Sequence, residues 1–221
     1  MSPLDEQSLI KLAQGGDLDA FNRLVEAYQD AVFGVALRMV RNRAAAEDLT
    51  QETFISAWRA VRSYRGNPSP GRRPEPVEGA PPGGQEDPGH TFRAWLLKIA
   101  RNATYDHLRR AARRGEVSID DDAVTLADTL PSRQPGPEEW ALTGELGRAI
   151  SEGMGVLPAE QRMAVTLVDI EGYTYDEAAS ALEANVGTVK SRLNRGRARL
   201  RDFLRSRPEL LPARLRLDDK E

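Results

Sequence analysis

The chain has 221 residues, 40% of them hydrophobic and 6% aromatic, and a formal net charge of −3, a length that allows one or two domains. It has no cysteine, which excludes disulfides, cysteine-ligated zinc and a thiol redox switch, and its two histidines, His90 and His107, lie too far apart in sequence to suggest a metal or catalytic site. No apolar run reaches the ~18 residues of a membrane span and the N-terminus MSPLDEQSLI is polar, so the expectation is a cytoplasmic protein with no direct membrane insertion and no cofactor.

The pattern is helical almost throughout and predicts an all-α fold. Ser2 can cap a first helix, with Pro3 at its first position and Gly15 just past its end. Asp17 caps a second, in which Phe21, Leu24, Val25, Tyr28, Val32 and Val35 recur at three-to-four spacing up to about Met39. A third spans about Ala44 to Tyr64 with Leu49, Phe54, Trp58 and Val61 inward. Then comes GNPSPGRRPEPVEGAPPGGQEDPGH, residues 66–90, which reads as a disordered surface loop. A fourth helix, about Phe92 to Arg114, turns Phe92, Trp95, Leu96, Ile99 and Ala103 inward. Residues 1–114 are therefore expected to form one small bundle interrupted by the 66–90 insertion.

Residues 115–137 lose the helical period. They carry Glu116, Asp120, Asp121, Asp122 and Asp128, end in prolines, and read as a flexible acidic interdomain linker. Helices resume near Glu138, one to about Gly153 and another from Pro158 to Glu171, with Gly172 at its end. Thr174-Tyr175-Asp176-Glu177 is a capping box that opens a short helix, Tyr175 to Leu182. After Glu183-Ala184-Asn185 a last helix runs from Val186 to about Ser206. The second domain is thus placed at 138–207, with a tail at 208–221.

The small net charge hides a segregation. Residues 93–114 hold seven basic groups against the single acid Asp106, and residues 187–207 hold eight against the single acid Asp202. Two basic helices in an otherwise acidic chain suggest two contacts with a polyanion; solvated helix faces are the plainer account. The second basic helix follows a short helix and a three-residue turn, a helix-turn-helix arrangement. Ala178, Ala179 and Leu182 suit the helix crossing, and Val186, Val189 and Leu193 face back onto them. The other face presents Thr188, Lys190, Ser191, Asn194 and Arg195, side chains that suit base edges in a major groove. Arg192, Arg197 and Arg199 suit phosphates. An ordinary helical hairpin with a basic surface is the alternative.

YTYDEAASALEANVGTVKSRLNRGRARLR resembles the promoter −35 reading segment of bacterial sigma-70-family factors, in particular the two-domain extracytoplasmic-function group, and the preceding LPAEQRMAVTLVDI resembles the same region 4. AAAEDLTQETFISAWRAV is similar to the region 2 helix that docks on RNA polymerase, and FRAWLLKIARNATYDHLRRAARR to the segment that melts and reads the −10 element. The resemblance covers roughly residues 8–114 and 138–205 and implies a transcription initiation factor without covalent chemistry of its own. Its implied partners are core RNA polymerase (β′ clamp helices and β flap), promoter DNA and, for many relatives, an anti-sigma protein.

By that resemblance the polar stripe Asp48, Gln51, Glu52 and Arg59 meets the polymerase, although a solvated face would look the same. Lys98, Arg101, Asn102, Tyr105, Arg109 and Arg113 would follow the parted −10 strand, with Tyr105 either stacking on a base or half-buried. Trp95 reads as core and Asp106 as a brace for its helix. Thr188, Lys190, Ser191, Arg192, Asn194, Arg195 and Arg199 would meet the −35 element. The acidic linker either mimics RNA in the polymerase or is a plain tether. Two departures from the family stand out. The insertion sits where relatives have a short joint near the −10 element. Glu183 occupies a turn position where relatives have glycine, because the chain there needs positive φ. A helix-turn-helix regulator that acts without core polymerase, or a scaffold for another protein, are the rival readings.

Overall fold

The structure, a computed structural model, describes residues 3–65, 91–114 and 137–207, with the side chains of Pro3, Leu4 and 137–145 left aside. The proline-rich stretch 66–90, with Arg72, Arg73, Glu75, Glu78 and Glu86, lies outside the described residues, as do linker residues 115–136 and the tail 208–221. All regular structure among the described residues is helical. The helices are α1 (Pro3–Gln14), α2 (Leu18–Val40), α3 (Arg43–Ala60, continued by a 3-10 turn Val61–Ser63), α4 (Phe92–Arg114), α5 (Pro137–Gly155), α6 (Ala159–Val165), α7 (Tyr175–Ala181) and α8 (Val186–Ser206).

Local chemistry sets the helix ends. Asp17 accepts the Ala20 N–H at 3.0 Å and opens α2, and Asn42 accepts the Ala45 N–H at 2.8 Å and opens α3. Between them Arg41 turns through φ 57 and donates its backbone N–H to the Leu37 carbonyl. The predicted capping box closes in both directions: the Glu177 N–H reaches Thr174 Oγ1 at 3.2 Å, and the Thr174 N–H reaches Glu177 Oε2 at 2.9 Å. Asn185 caps α8 by accepting the Thr188 N–H at 2.7 Å. One element differs from the periodicity. The predicted helix from Pro158 to Glu171 stays α-helical only to Val165, then widens into a π turn over Thr166–Ile170, with the Glu171 N–H bonded to the Thr166 carbonyl. Thr166 and Leu167 are buried, and Gly172 at φ 70 reverses the chain so that Tyr173 is buried too.

The first core gathers α1–α4 around Leu9, Phe21, Leu24, Val32, Phe54, Phe92 and Leu96. Its edge is an aromatic chain: Tyr64 lies 5.4 Å from Phe92 and 5.0 Å from Trp95, and Phe92 5.7 Å from Tyr28. Trp95 is therefore part of the core edge, as its sequence context suggests. Tyr64 and Phe92, close to the two sides of the 66–90 stretch, thus touch.

The second core is not confined to the C-terminal helices. Val35, Met39 and Leu97 of the first bundle share it with Met154, Leu157, Met163, Leu167, Tyr173 and Leu182. Arginines stitch the same seam. Arg38 donates to Glu171 at 2.6 Å with both side chains largely buried. Arg162 donates to the Met39 carbonyl at 2.7 Å, and Arg93 to the Glu171 carbonyl at 3.0 Å. Arg93 also lies over the Tyr173 ring, 3.6 Å from its centre. Burial pushes the Tyr173 phenol up to about 12 in spite of that cation. Gly34 makes room for the Arg38–Glu171 pair: a Cβ there would lie 2.6 Å from Arg38 Nη1 and 3.0 Å from Glu171 Oε1. A mid-helix glycine costs about 1 kcal/mol against alanine, so the seam is the reason for a residue that the helix itself disfavours.

Burial raises the Glu171 carboxyl and lowers the Arg38 guanidinium, each against the pull of the other. Desolvation thus outweighs attraction at both partners, which is the regime in which a buried pair fixes a geometry more than it adds stability. Glu171→Ala, which takes the carboxylate away from the largely buried Arg38 guanidinium, is expected to cost about 3 kcal/mol in urea unfolding of the full chain. The paired change Arg38→Met with Glu171→Leu is expected to lie within about 1 kcal/mol of the parent.

Candidate nucleic-acid and polymerase interfaces

Three surfaces carry the residues singled out in the sequence. On α3, burial of Ala46, Leu49, Thr53, Phe54 and Ala57 turns Asp48, Gln51, Glu52 and Arg59 to solvent, all four exposed on one side. The structure adds a residue that sequence reasoning passed over. Ile55 sits among them, at helical spacing from Asp48, Gln51, Glu52 and Arg59, and is 51% exposed. An apolar side chain within a polar rim is the usual anatomy of a protein contact. Its signal was in the sequence, since Ile55 falls off the inward set Leu49, Phe54, Trp58 and Val61.

Helix α4 has two worked faces. Phe92, Leu96 and Ala100 are buried against the first bundle. Arg93, Leu97, Arg101 and Tyr105, four residues apart, look toward the C-terminal helices. The expected −10 residues divide accordingly. Lys98 Nζ lies 2.6 Å from Glu183 Oε1, and Arg101 Nη2 lies 3.2 Å from Glu183 Oε2. Arg101 also donates to the Ala181 carbonyl at 3.1 Å, at the end of α7. Tyr105 packs on the second core, and burial pushes its phenol above the usual range. Asn102, Arg109 and Arg113 are exposed, and Arg109 pairs with Asp106, which braces the helix surface. Arg101, Asn102, Tyr105 and Arg109 line a cleft of about 330 Å³ whose other wall is Glu160, Leu182 and Arg192.

On α8, Val189, Leu193 and Gly196 are buried. A Cβ at Gly196 would come within 2.8 Å of Val165, so glycine lets α8 lie close on α6. The outer face carries Lys190, Asn194, Arg195 and Arg199, all exposed, with Thr188 and Ser191 half-buried at its base. Ser191 Oγ accepts from Arg195 Nη2 at 2.6 Å, and Lys190 Nζ lies 5.3 Å from the centre of the Tyr175 ring. Two arginines lie elsewhere. Arg192 pairs with Glu160 at 2.8 Å on the wall of the cleft, and Arg197 forks onto Asp169.

Comparison with known proteins follows the same division. The family model for Sigma-70 region 2 matches residues 24–73 and 81–114, and that for Sigma-70 region 4 matches residues 147–200. The RNA polymerase sigma-H factor of Pseudomonas aeruginosa is 31% identical over 195 residues, covering 87% of this chain and 90% of the relative. The chain belongs to the sigma-70 family, in its extracytoplasmic-function group. The ECF sigma-E factor of Haemophilus influenzae is 32% identical, over 88% of this chain and 92% of its own length. The ECF sigma factor SigE of Mycolicibacterium smegmatis is 35% identical over 85% of this chain; the chain spans 62% of that relative's length. Among solved structures, CnrH bound to the cytosolic domain of CnrY superposes with a TM-score of 0.58 at 25% identity, over 91% of this chain and 98% of that one. The sigma factor RpoE of Bartonella quintana, bound to the anti-sigma factor NepR, gives 0.55 at 25% identity, over 83% and 96%.

In sigma-factor terms, α2–α4 fall in region 2 and α5–α8 in region 4, and the region 2 match runs into the 66–90 stretch from both sides and breaks only over residues 74–80. Glu183, at the turn of the region 4 helix-turn-helix, has φ 48, the left-handed conformation its position predicted. Its carboxyl is held below the usual carboxylate range by Lys98 and then Arg101. A non-glycine residue there costs about 1 kcal/mol, and half-exposed ion pairs return only a few tenths of that. Glu183→Gly is therefore expected to raise the thermal midpoint of the chain by about 1–2 °C, measured by calorimetry.

Proposed function

We propose that this sigma factor acts in the cytoplasm by binding core RNA polymerase through the α3 stripe and carrying it to promoters with two separated elements. Helix α4 reads and holds the parted −10 strand, and α8 reads the −35 element in the major groove. The division of labour is a region 2 bundle within 1–114, a linker over 115–137 and a region 4 domain over 138–207. Bond-making belongs to the polymerase; the sigma factor supplies recognition. The observation that supports this reading is that one chain carries a mixed polar and apolar surface on α3 and basic surfaces on α4 and α8, in the order of regions 2 and 4. A helix-turn-helix regulator would have no use for the α3 stripe in this form. The solved CnrH and RpoE complexes, in which CnrY and the anti-sigma factor NepR are the partners, support an antagonist of that class for this chain as well.

Run-off transcription with purified core polymerase and a genomic promoter pool tests the whole reading: promoter-dependent transcripts are expected, and their complete absence would sink it. In the same assay Ile55→Asp is expected to weaken core binding about tenfold, equivalent to about 1.4 kcal/mol, with an unchanged melting temperature. On α8 the two kinds of contact separate. Asn194→Ala is expected to relax base choice in the −35 element. Arg199→Ala is expected to weaken all sequences alike and to lower the slope of log affinity against log salt by about one.

A further inference from the structure

The cleft beside α4 has a lining that no single DNA contact explains. Its walls come from α4, from α6, from α8 and from the turn after α7, and they enclose about 330 Å³. That size and a place between two regions are usual for small-molecule sites. The lining is rich in hydrogen-bond donors. The guanidiniums of Arg101, Arg109 and Arg192 carry no acceptor and face one carboxylate, Glu160. Burial, and then Glu160, raises the Tyr105 phenol above its usual range, so it stays protonated and donates. Nε of Arg101 is buried and has no acceptor among the described residues, a state that costs free energy until one arrives. The other acids near these arginines stand outside the lining: Asp106 pairs with Arg109, and Glu183 with Arg101. Only Glu160, 2.8 Å from Arg192, stands within it. All three carboxylates are about half exposed or more, so these pairs are weak and readily exchanged for a better acceptor.

We propose that this cleft is a binding site for a small phosphorylated metabolite with at least two negative charges, held between Arg109 of α4 and Arg192 of α8. The donor set selects that chemistry. Three guanidiniums repel a cation, and an apolar ligand would bury donors without partners. Phosphate oxygens suit them better than a carboxylate does, because they offer more charge and more acceptor sites. Arg109 and Arg192 stand on opposite walls, so a ligand that engages both needs more than one anionic group. Tyr105 and Asn102 donate to its remaining oxygens. Glu160 sets the threshold: it competes for Arg192, and only a ligand with more charge than a lone carboxylate displaces it. The inference concerns the cleft alone and does not rest on the −10 reading of α4.

Isothermal titration calorimetry of the full chain, free of divalent cations, tests the site. Inorganic pyrophosphate, ADP and GDP are the probes, and sulfate measures general anion attraction. Saturable binding of at least one probe is expected, about tenfold tighter than sulfate. Pyrophosphate binding as tightly as the nucleotides supports a site that reads phosphate groups alone; nucleotides binding about tenfold tighter support one that also seats the nucleoside. Arg109→Ala and Arg192→Ala, on opposite walls, are each expected to weaken binding about tenfold. Glu160→Gln is expected to tighten it about threefold by releasing Arg192, a gain that a damaged fold does not produce. Arg199→Ala, on the outer face of α8, is expected to leave it unchanged. No saturable binding of any probe below about 1 mM overturns the proposal. So does equal weakening by Arg192→Ala and Arg199→Ala, which would place the anion on the outer basic face. A loss of affinity in Glu160→Gln, or an effect of only one of the two wall arginines, overturns the bridging geometry.

Discussion

Helix α4 is packed on two faces, one in each core, and most of the architecture of the described residues follows from that double contact. Phe92, Leu96 and Ala100 fix it to the first bundle through fully buried apolar contacts. Its second face combines cations with Leu97, which is 2% exposed in this arrangement. A long basic face left in water would be soluble, but Leu97 beside it would be exposed apolar surface. Docking of region 4 removes Leu97, Val35 and Met39 from water at once. The seam is therefore held by ordinary hydrophobic burial at its centre, while charge pairs decide its register.

The composition of that seam favours one geometry. An apolar seam of the same extent would bind without directional preference and resist opening. Here Arg38, Arg93, Arg101 and Arg162 each grip a carbonyl or carboxylate across the boundary. Each must be desolvated, and burial lowers both the Arg38 and Arg162 guanidinium groups from their usual range. The hydrogen bonds recover much of that loss only in one geometry. The result is a seam between two domains with a specific geometry and modest net stability.

The elements were largely legible in the sequence because their signals are local. Asp17 and the Thr174–Glu177 box act within four residues, and period placed α2, α4 and α8; the left-handed turn at Glu183 was legible only through the family resemblance. The exposed sides of α3 and α8 were legible for the same reason, since each is the complement of an apolar stripe. The π turn at Thr166–Ile170 was not, because its cause is tertiary: the extra residue per turn sets Glu171 against Arg38, more than a hundred residues earlier in the chain. The docking of region 4 on α4 was illegible too. Lys98 and Arg101 carry the same letters whether they face water, phosphate or Glu183, and only the fold brings Glu183 to them. Arg192 belongs to the same group: its place on the basic helix suggested a phosphate contact, and the structure pairs it with Glu160.

The insertion at 66–90 can be weighed from its roots alone. Gln14 donates to the Tyr64 carbonyl at 2.6 Å, and Tyr64 in turn meets Phe92 and Trp95, so both ends are anchored in one aromatic cluster. A chain whose ends already touch adds little to the work of folding: lengthening a five-residue joint to 25 residues costs about 1.5 kcal/mol of closure entropy. The bundle can therefore carry the insertion without any compensating change in its core. Its roots also lie at the first turn of α4, one end of the helix that presents Lys98 and Arg101.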